Sequence, residues 1–165
     1  MAVPQAKADV GVTNTSSKPC TGTKPFMAIE LLRPDLPAHM YCHDLESIFY
    51  VLVWITLCFH DSKEIADPPL REWADQGGAA LVKDKNSFIM SEPPQPTSKF
   101  YPLGHWVVSL QKMMRSGFSA RMEYCSELAI ATWTKAMHPP AFKDEILGSF
   151  VMFDTFQAIL DTKSL

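Results

Sequence analysis

This sequence predicts an all-α, irregular helical domain packed around one buried central helix. Three observations carry that reading. Apolar residues recur at helical spacing over long stretches, Pro-rich segments separate them, and no alternating run marks a confident strand. The longest apolar stretch sets the centre. From Ile48 to Phe59 only Thr56 is not apolar. A helix apolar on all sides is expected to be buried on every side, with the other elements around it. Its β-branched residues would also suit a strand, but strands run to roughly 4–8 residues and this run is longer. A membrane span needs about 20 apolar residues, and His43–Asp44 and His60–Asp61 bracket the run too tightly. The central helix is placed at about residues 44–59, with Asp44 as its N-cap.

The 165 residues allow one domain with a sizeable core. A hydrophobic content of 47% with 20% charged residues describes a globular chain. The net charge of −3 gives no electrostatic reason to expect nucleic acid or an anionic membrane as partner. Cys20, Cys42, Cys58 and Cys125 are too scattered for a small disulfide framework, and Cys58 falls inside the apolar helix as a small hydrophobe. That suits a reducing compartment. No signal-peptide core stands at the N-terminus, so a cytoplasmic or nuclear protein is expected.

In chain order, residues 1–20 are polar and aperiodic, and an extended or disordered tail is expected there, with the folded unit over 21–165. Met27 to Leu32 suits one or two helical turns, ended by Pro34 and Pro37. Leu70 to Asp75 starts a short helix after Pro68–Pro69. Gly77–Gly78 interrupts it, and helix resumes over 79–90. Residues 91–102 hold four prolines and form a loop. Trp106, Val107, Leu110, Met113 and Met114 make one stripe of an amphipathic helix over 103–116, with Gly117 as its C-cap. A further helix is expected over 120–137, stopped by Pro139–Pro140. A final helix spans Ala141 to Leu160.

Two short segments carry a resemblance. Thr21-Gly22-Thr23-Lys24-Pro25-Phe26-Met27-Ala28-Ile29-Glu30 resembles the end of a protein-kinase activation segment, a substrate-docking loop followed by an Ala-Pro-Glu element. His43-Asp44-Leu45-Glu46-Ser47 then opens an all-apolar helix, as the kinase F helix does. The wording is most similar to the fungal-type protein kinase family, with Ile29 in place of the usual Pro. The resemblance implies the C-lobe of the kinase fold and, for the complete family domain, ATP-dependent phosphorylation of protein Ser/Thr with ATP and Mg. It implies a substrate-docking role for Thr21, Gly22, Thr23, Phe26 and Met27. It gives Glu30 an ion pair with an Arg late in the lobe, for which Arg115 and Arg121 both stand as candidates. Asp44 matches the Asp that holds backbone N–H groups of the catalytic loop.

The Gly-rich loop, the phosphate Lys, the His-Arg-Asp loop and the Asp-Phe-Gly metal site of the family lie upstream of this segment. The residues before Thr21 contain none of them. No catalytic, cofactor-binding or metal residue is therefore assigned, and the chain alone is expected to be inactive. Its expected partner is a protein or the missing N-terminal kinase half, and marginal stability with exposed apolar surface should follow. A different class, a non-enzymatic helical interaction module, fits the same elements. A metal site from His39, Cys42, His43, Cys58 and His60 is ruled against by geometry, since the central helix spans about 24 Å and metal bonds are near 2 Å. Ser47 lacks a nucleophile-elbow context and reads as a first-turn helix residue.

Overall fold

A computed structural model describes residues 23–35 and 37–162. The expected tail, and with it Thr21 and Gly22, lies outside the described residues. Among the described residues the domain is mostly helical, with five α-helices. Short 3-10 turns at Lys24–Phe26 and Glu30–Leu32 lead into α1 (Tyr41–Cys58), followed by α2 (Glu72–Asp75), α3 (Gly78–Met90), α4 (Gly104–Thr134) and α5 (Phe153–Leu160). Between α1 and α2 a two-residue turn joins β1 (Phe59–His60) to β2 (Lys63–Glu64), antiparallel with Phe59 opposite Glu64. Asp61 and Ser62 both take left-handed φ there, as a tight hairpin of right-handed twist requires.

The central helix organises the core. Leu45, Phe49, Tyr50, Val53, Leu57 and Cys58 of α1 are buried against Leu81 and Ile89 of α3 and Val107, Leu110 and Met114 of α4. Two expectations for α1 are corrected. It starts at Tyr41, with Met40 at the N-cap, so Asp44 sits inside the first turn and caps nothing. It is also not buried on every side. Tyr41, Asp44, Ile48, Val51 and Ile55, spaced three or four apart along one face, are all exposed. Composition reports how apolar a helix is, but it does not say whether each face has a neighbour.

The later elements differ from expectation at two glycines. Gly117 does not stop a helix, because α4 runs through it without a break. A Cβ there would stand 2.9 Å from the Cβ of Leu147, so this position holds glycine for close approach. Lys112 and Arg115 consequently lie mid-helix. α4 ends at Thr134, where Lys135 takes left-handed φ and its N–H bonds the carbonyls of Ala131 and Thr132. The expected final helix over 141–160 is split. Leu147 and Gly148 have positive φ, so the 3-10 stretch Asp144–Ser149 kinks and only Phe153–Leu160 continues as α5. The kink delivers Leu147 and Val151 to the groove above Gly117.

Candidate functional site

The buried polar groups gather where the Lys24–Leu32 segment crosses α1. His43, Glu46 and Tyr50 stand at i, i+3 and i+7, one face of α1, and all three are buried. They form two adjoining clusters with residues of the segment, α3 and α4.

The first cluster is built on Glu30. One carboxylate oxygen, Oε1, is ion-paired with Nη1 of Arg121 from α4, and the other, Oε2, lies 3.0 Å from Nε2 of His43. The Met40 N–H donates to His43 Nδ1 at 3.1 Å. That bond leaves the proton of the neutral ring on Nε2, where it donates to Glu30. His43 thus closes the α1 N-terminus and positions Glu30 with one ring. Burial lowers its pKa below the ordinary imidazole value, against the opposing charges of Glu46 and Asp44. Arg121 Nε reaches Asp144 at 3.4 Å, and the Asp144 carbonyl accepts from Cys42 Sγ at 3.4 Å. Burial first, then the charge of Glu46, pushes the Cys42 thiol up to about 12, so it is no nucleophile at neutral pH.

The second cluster is built on Glu46. Its Oε1 accepts the Ile29 N–H at 2.9 Å and the Tyr50 hydroxyl at 2.8 Å. Lys85 of α3 is fully buried beside it. The Lys85 ammonium donates to the Met27 carbonyl and sits 3.8 Å from the centre of the Tyr50 ring. Burial raises the Glu46 pKa, against the bonds from Ile29 and Tyr50 and the charge of Lys85. Burial lowers that of Lys85 to about 7, against the attraction of Glu46. Tyr50 is raised well above the phenol range by burial and by the Glu46 charge.

Of the two arginines left open by the sequence, Arg121 meets Glu30. Arg115 is used elsewhere: it donates to the carbonyls of Ile89 (2.9 Å from Nε) and Ser91, closing the C-terminus of α3. Thr23 is exposed. Phe26 is half-buried, edge-on to Trp54 at 5.6 Å, and Met27 is half-buried with its carbonyl taken by Lys85. Asp44 is 63% exposed and lies 3.3 Å from His39. Ser47 donates to the His43 carbonyl, an ordinary helical back-bond. His43, Glu46, Tyr50 and Lys85 carry the site; the sequence points to His43 only as a metal-ligand candidate and a motif residue, and it gives Glu46, Tyr50 and Lys85 no role of their own. Their signal was available: three polar groups on one face of an otherwise apolar helix.

The arrangement is a structural clamp, since its charged groups pair with one another across elements. Among the described residues no group of three or more His, Cys, Asp or Glu side chains is placed to hold a metal ion. Among the described residues the one fully buried lysine, Lys85, is turned to the Met27 carbonyl. None of the helices, among the described residues, is long and apolar enough to cross a membrane. A hollow of about 420 Å³ is lined by Glu30 and Arg121 themselves, with Ile29, Arg33, Asn86, Phe118 and Met122 among others.

No curated protein and no solved structure matches this chain. The model of the fungal protein kinase family matches residues 6–56, which include Thr21–Glu30, His43–Ser47 and most of α1, so the similarity of this stretch to fungal protein kinases is established.

Proposed function

We propose that this polypeptide is the lower part of the C-lobe of a fungal-type protein kinase, catalytically incomplete by itself, and that α1 is the seat of the half that would carry ATP, Mg and the catalytic loop. The observation that carries this reading is the outer face of α1. Asp44, the residue the resemblance pairs with the catalytic loop, shares that exposed face with Ile48, Val51 and Ile55. An apolar stripe with a carboxylate at its head suits a backbone-bearing loop better than it suits water. The Glu30–Arg121 pair supports the same reading, since the resemblance asks for an Arg late in the lobe. Protein Ser/Thr phosphorylation then belongs to the assembled domain. The buried free thiols of Cys42 and Cys58 suit a cytoplasmic or nuclear setting.

The test is calorimetric titration of the 165-residue chain with Mg-ATP, paired with the intact mass of the endogenous polypeptide. No saturable heat is expected; saturable binding would overturn catalytic incompleteness. An endogenous species much larger than 18.5 kDa places the missing half on the same chain. A species of 18.5 kDa requires it in trans, captured through α1 and lost on Val51→Glu. If that partner instead depends on Phe26 and Met27, the non-enzymatic interaction module is the better reading.

A further inference from the structure

The 3-10 turn Lys24–Phe26 does not secure itself. Its own backbone supplies two bonds, from the Phe26 N–H to the Thr23 carbonyl and from the Met27 N–H to the Lys24 carbonyl. Carbonyls at the end of so short a turn need a donor from outside it. One side chain from far along the sequence meets them. Lys85 Nζ lies 3.5 Å from the Lys24 carbonyl oxygen and donates to that of Met27. The Tyr50 ring, 3.8 Å away, takes the remaining side of the ammonium. The chain just beyond is fixed by other means: the Ile29 N–H bonds Glu46, and Glu30 pairs with Arg121. Thr23 and Lys24 are exposed, and Phe26 and Met27 are only half-buried. The turn is therefore a strap, firm at Ile29, with Phe26 resting on Trp54 and its polar pin at Lys85.

The pin is set against its own charge. From α1 it meets Glu46 and Tyr50, from α2 the Trp73 ring at 5.5 Å, and from the turn only carbonyls, since the Lys24 side chain is exposed. Asp84 on α3 is turned to Gln76, and α4 reaches α3 at its far end, through Gln111 and Arg115. Among the described residues Glu46 is thus the countercharge, and it is shared with the bonds from Ile29 and Tyr50. Burial accordingly lowers the Lys85 pKa to about 7, against the pull of Glu46. Proton uptake then favours any arrangement in which Lys85 reaches water, and lifting the turn provides one. We propose that Lys85 is a positioning residue for the segment to which the family resemblance gives substrate docking: a latch from α3 that holds Lys24–Met27 closed and releases it on taking up a proton. The docking role rests on the kinase reading, whereas the latch stands on the contacts alone.

Amide hydrogen exchange of the full 165-residue chain, followed residue by residue by NMR, tests the latch without nucleotide or partner, so its failure leaves the kinase reading untouched. Protection at Phe26 and Met27, corrected for intrinsic rates, should lie well below that of Phe49 and Val53 in α1, with Ile29 at the level of the core. Protection at the turn should fall about ten-fold from about pH 8 to about pH 6. In Lys85→Met, which has no proton to take up, that fall should vanish. Turn amides as protected as those of α1 would mean that the strap leaves only with the whole fold, which overturns the latch. Turn protection that ignores pH in the wild type, or follows it equally in Lys85→Met, overturns the part given to Lys85. The wild-type comparison needs no variant, so it decides even if Lys85→Met fails to fold.

Discussion

Glu30 and Glu46 are both buried carboxylates at the crossing of the Lys24–Leu32 segment and α1, yet their surroundings treat them oppositely. Glu30 lies beside a guanidinium that keeps partial contact with water, Arg121, and takes a second bond from a neutral imidazole. Glu46 lies deeper, bonded by a backbone N–H and a phenol, with a lysine whose own charge is disfavoured. The first is an ion pair across elements, tying the Glu30–Leu32 turn to α4. The second is a hydrogen-bonded anchor in which burial works against ionisation of both partners. Burial alone does not set the role of a carboxylate; the cation it meets, and how far that cation keeps its water, does.

The largest effect expected from this contrast comes from removing the arginine. Arg121→Met leaves Glu30 charged and buried with only His43, and should cost about 3–5 kcal/mol, read as a fall in the urea midpoint. Glu46→Gln keeps an acceptor for Ile29 and Tyr50, and should cost only about 1 kcal/mol. Equal losses in the two variants would erase the distinction between the clusters.

Lys85 gives the next effect, through pH. Its folded pKa is about 7 against an ordinary 10.5. Between those values the unfolded chain holds the proton more firmly than the folded one, so stability rises with pH. The gain from about pH 7 to about pH 9 should be on the order of 2 kcal/mol, and Lys85→Met should abolish it. His43 acts in a lower window. Its folded pKa is depressed, so below 6.5 the unfolded chain takes up the proton first and stability falls as pH falls. A flat wild-type profile from neutral to alkaline pH would mean that Lys85 keeps its charge and that Glu46 is an ion-paired carboxylate after all. Tyr50→Phe isolates the hydroxyl bond to Glu46 and should cost about 1 kcal/mol by thermal denaturation. A cost as large as that of Arg121→Met would make the phenol, not the burial, the organiser of this cluster.

What could be read beforehand divides along the same physical line. The stripe Val107, Leu110, Met113 and Met114 was legible because periodicity is local, and all four residues are buried. Gly117 was misread because its reason is not local: the glycine makes room for Leu147, which arrives from a later turn. The break at Leu147–Gly148 was missed because apolar spacing continued through it while the backbone turned left-handed. At the site, the segment Thr21–Glu30 and the helix opening His43–Ser47 stood out as motifs, but the motif drew attention to Asp44 and away from its neighbours. His43 and Glu46 are buried only because a distant segment folds over them. Lys85 could not be placed at all, since its burial depends on Met27, whose carbonyl it meets 58 residues away along the chain.

Asp44 offers the smallest effect and a sharp one. As the N-cap of α1 it would support the helix start, and its removal would cost about 1 kcal/mol or more. Met40 holds that position, and the backbone N–H that a cap residue would leave to solvent is given to His43. Asp44 retains only the favourable placement of an acid in a first helical turn and an exposed contact with His39. Asp44→Ala should therefore cost no more than about 0.5 kcal/mol, and less at high salt, because the dipole interaction of an exposed charge is screened. His43→Gln, which removes the ring acceptor of the Met40 N–H and the donor to Glu30 together, should cost several times more. If the order of the two were reversed, the helix would be held at Asp44. Glu30 would then depend on Arg121 alone, and the imidazole between α1 and the first cluster would be a spacer and not a link.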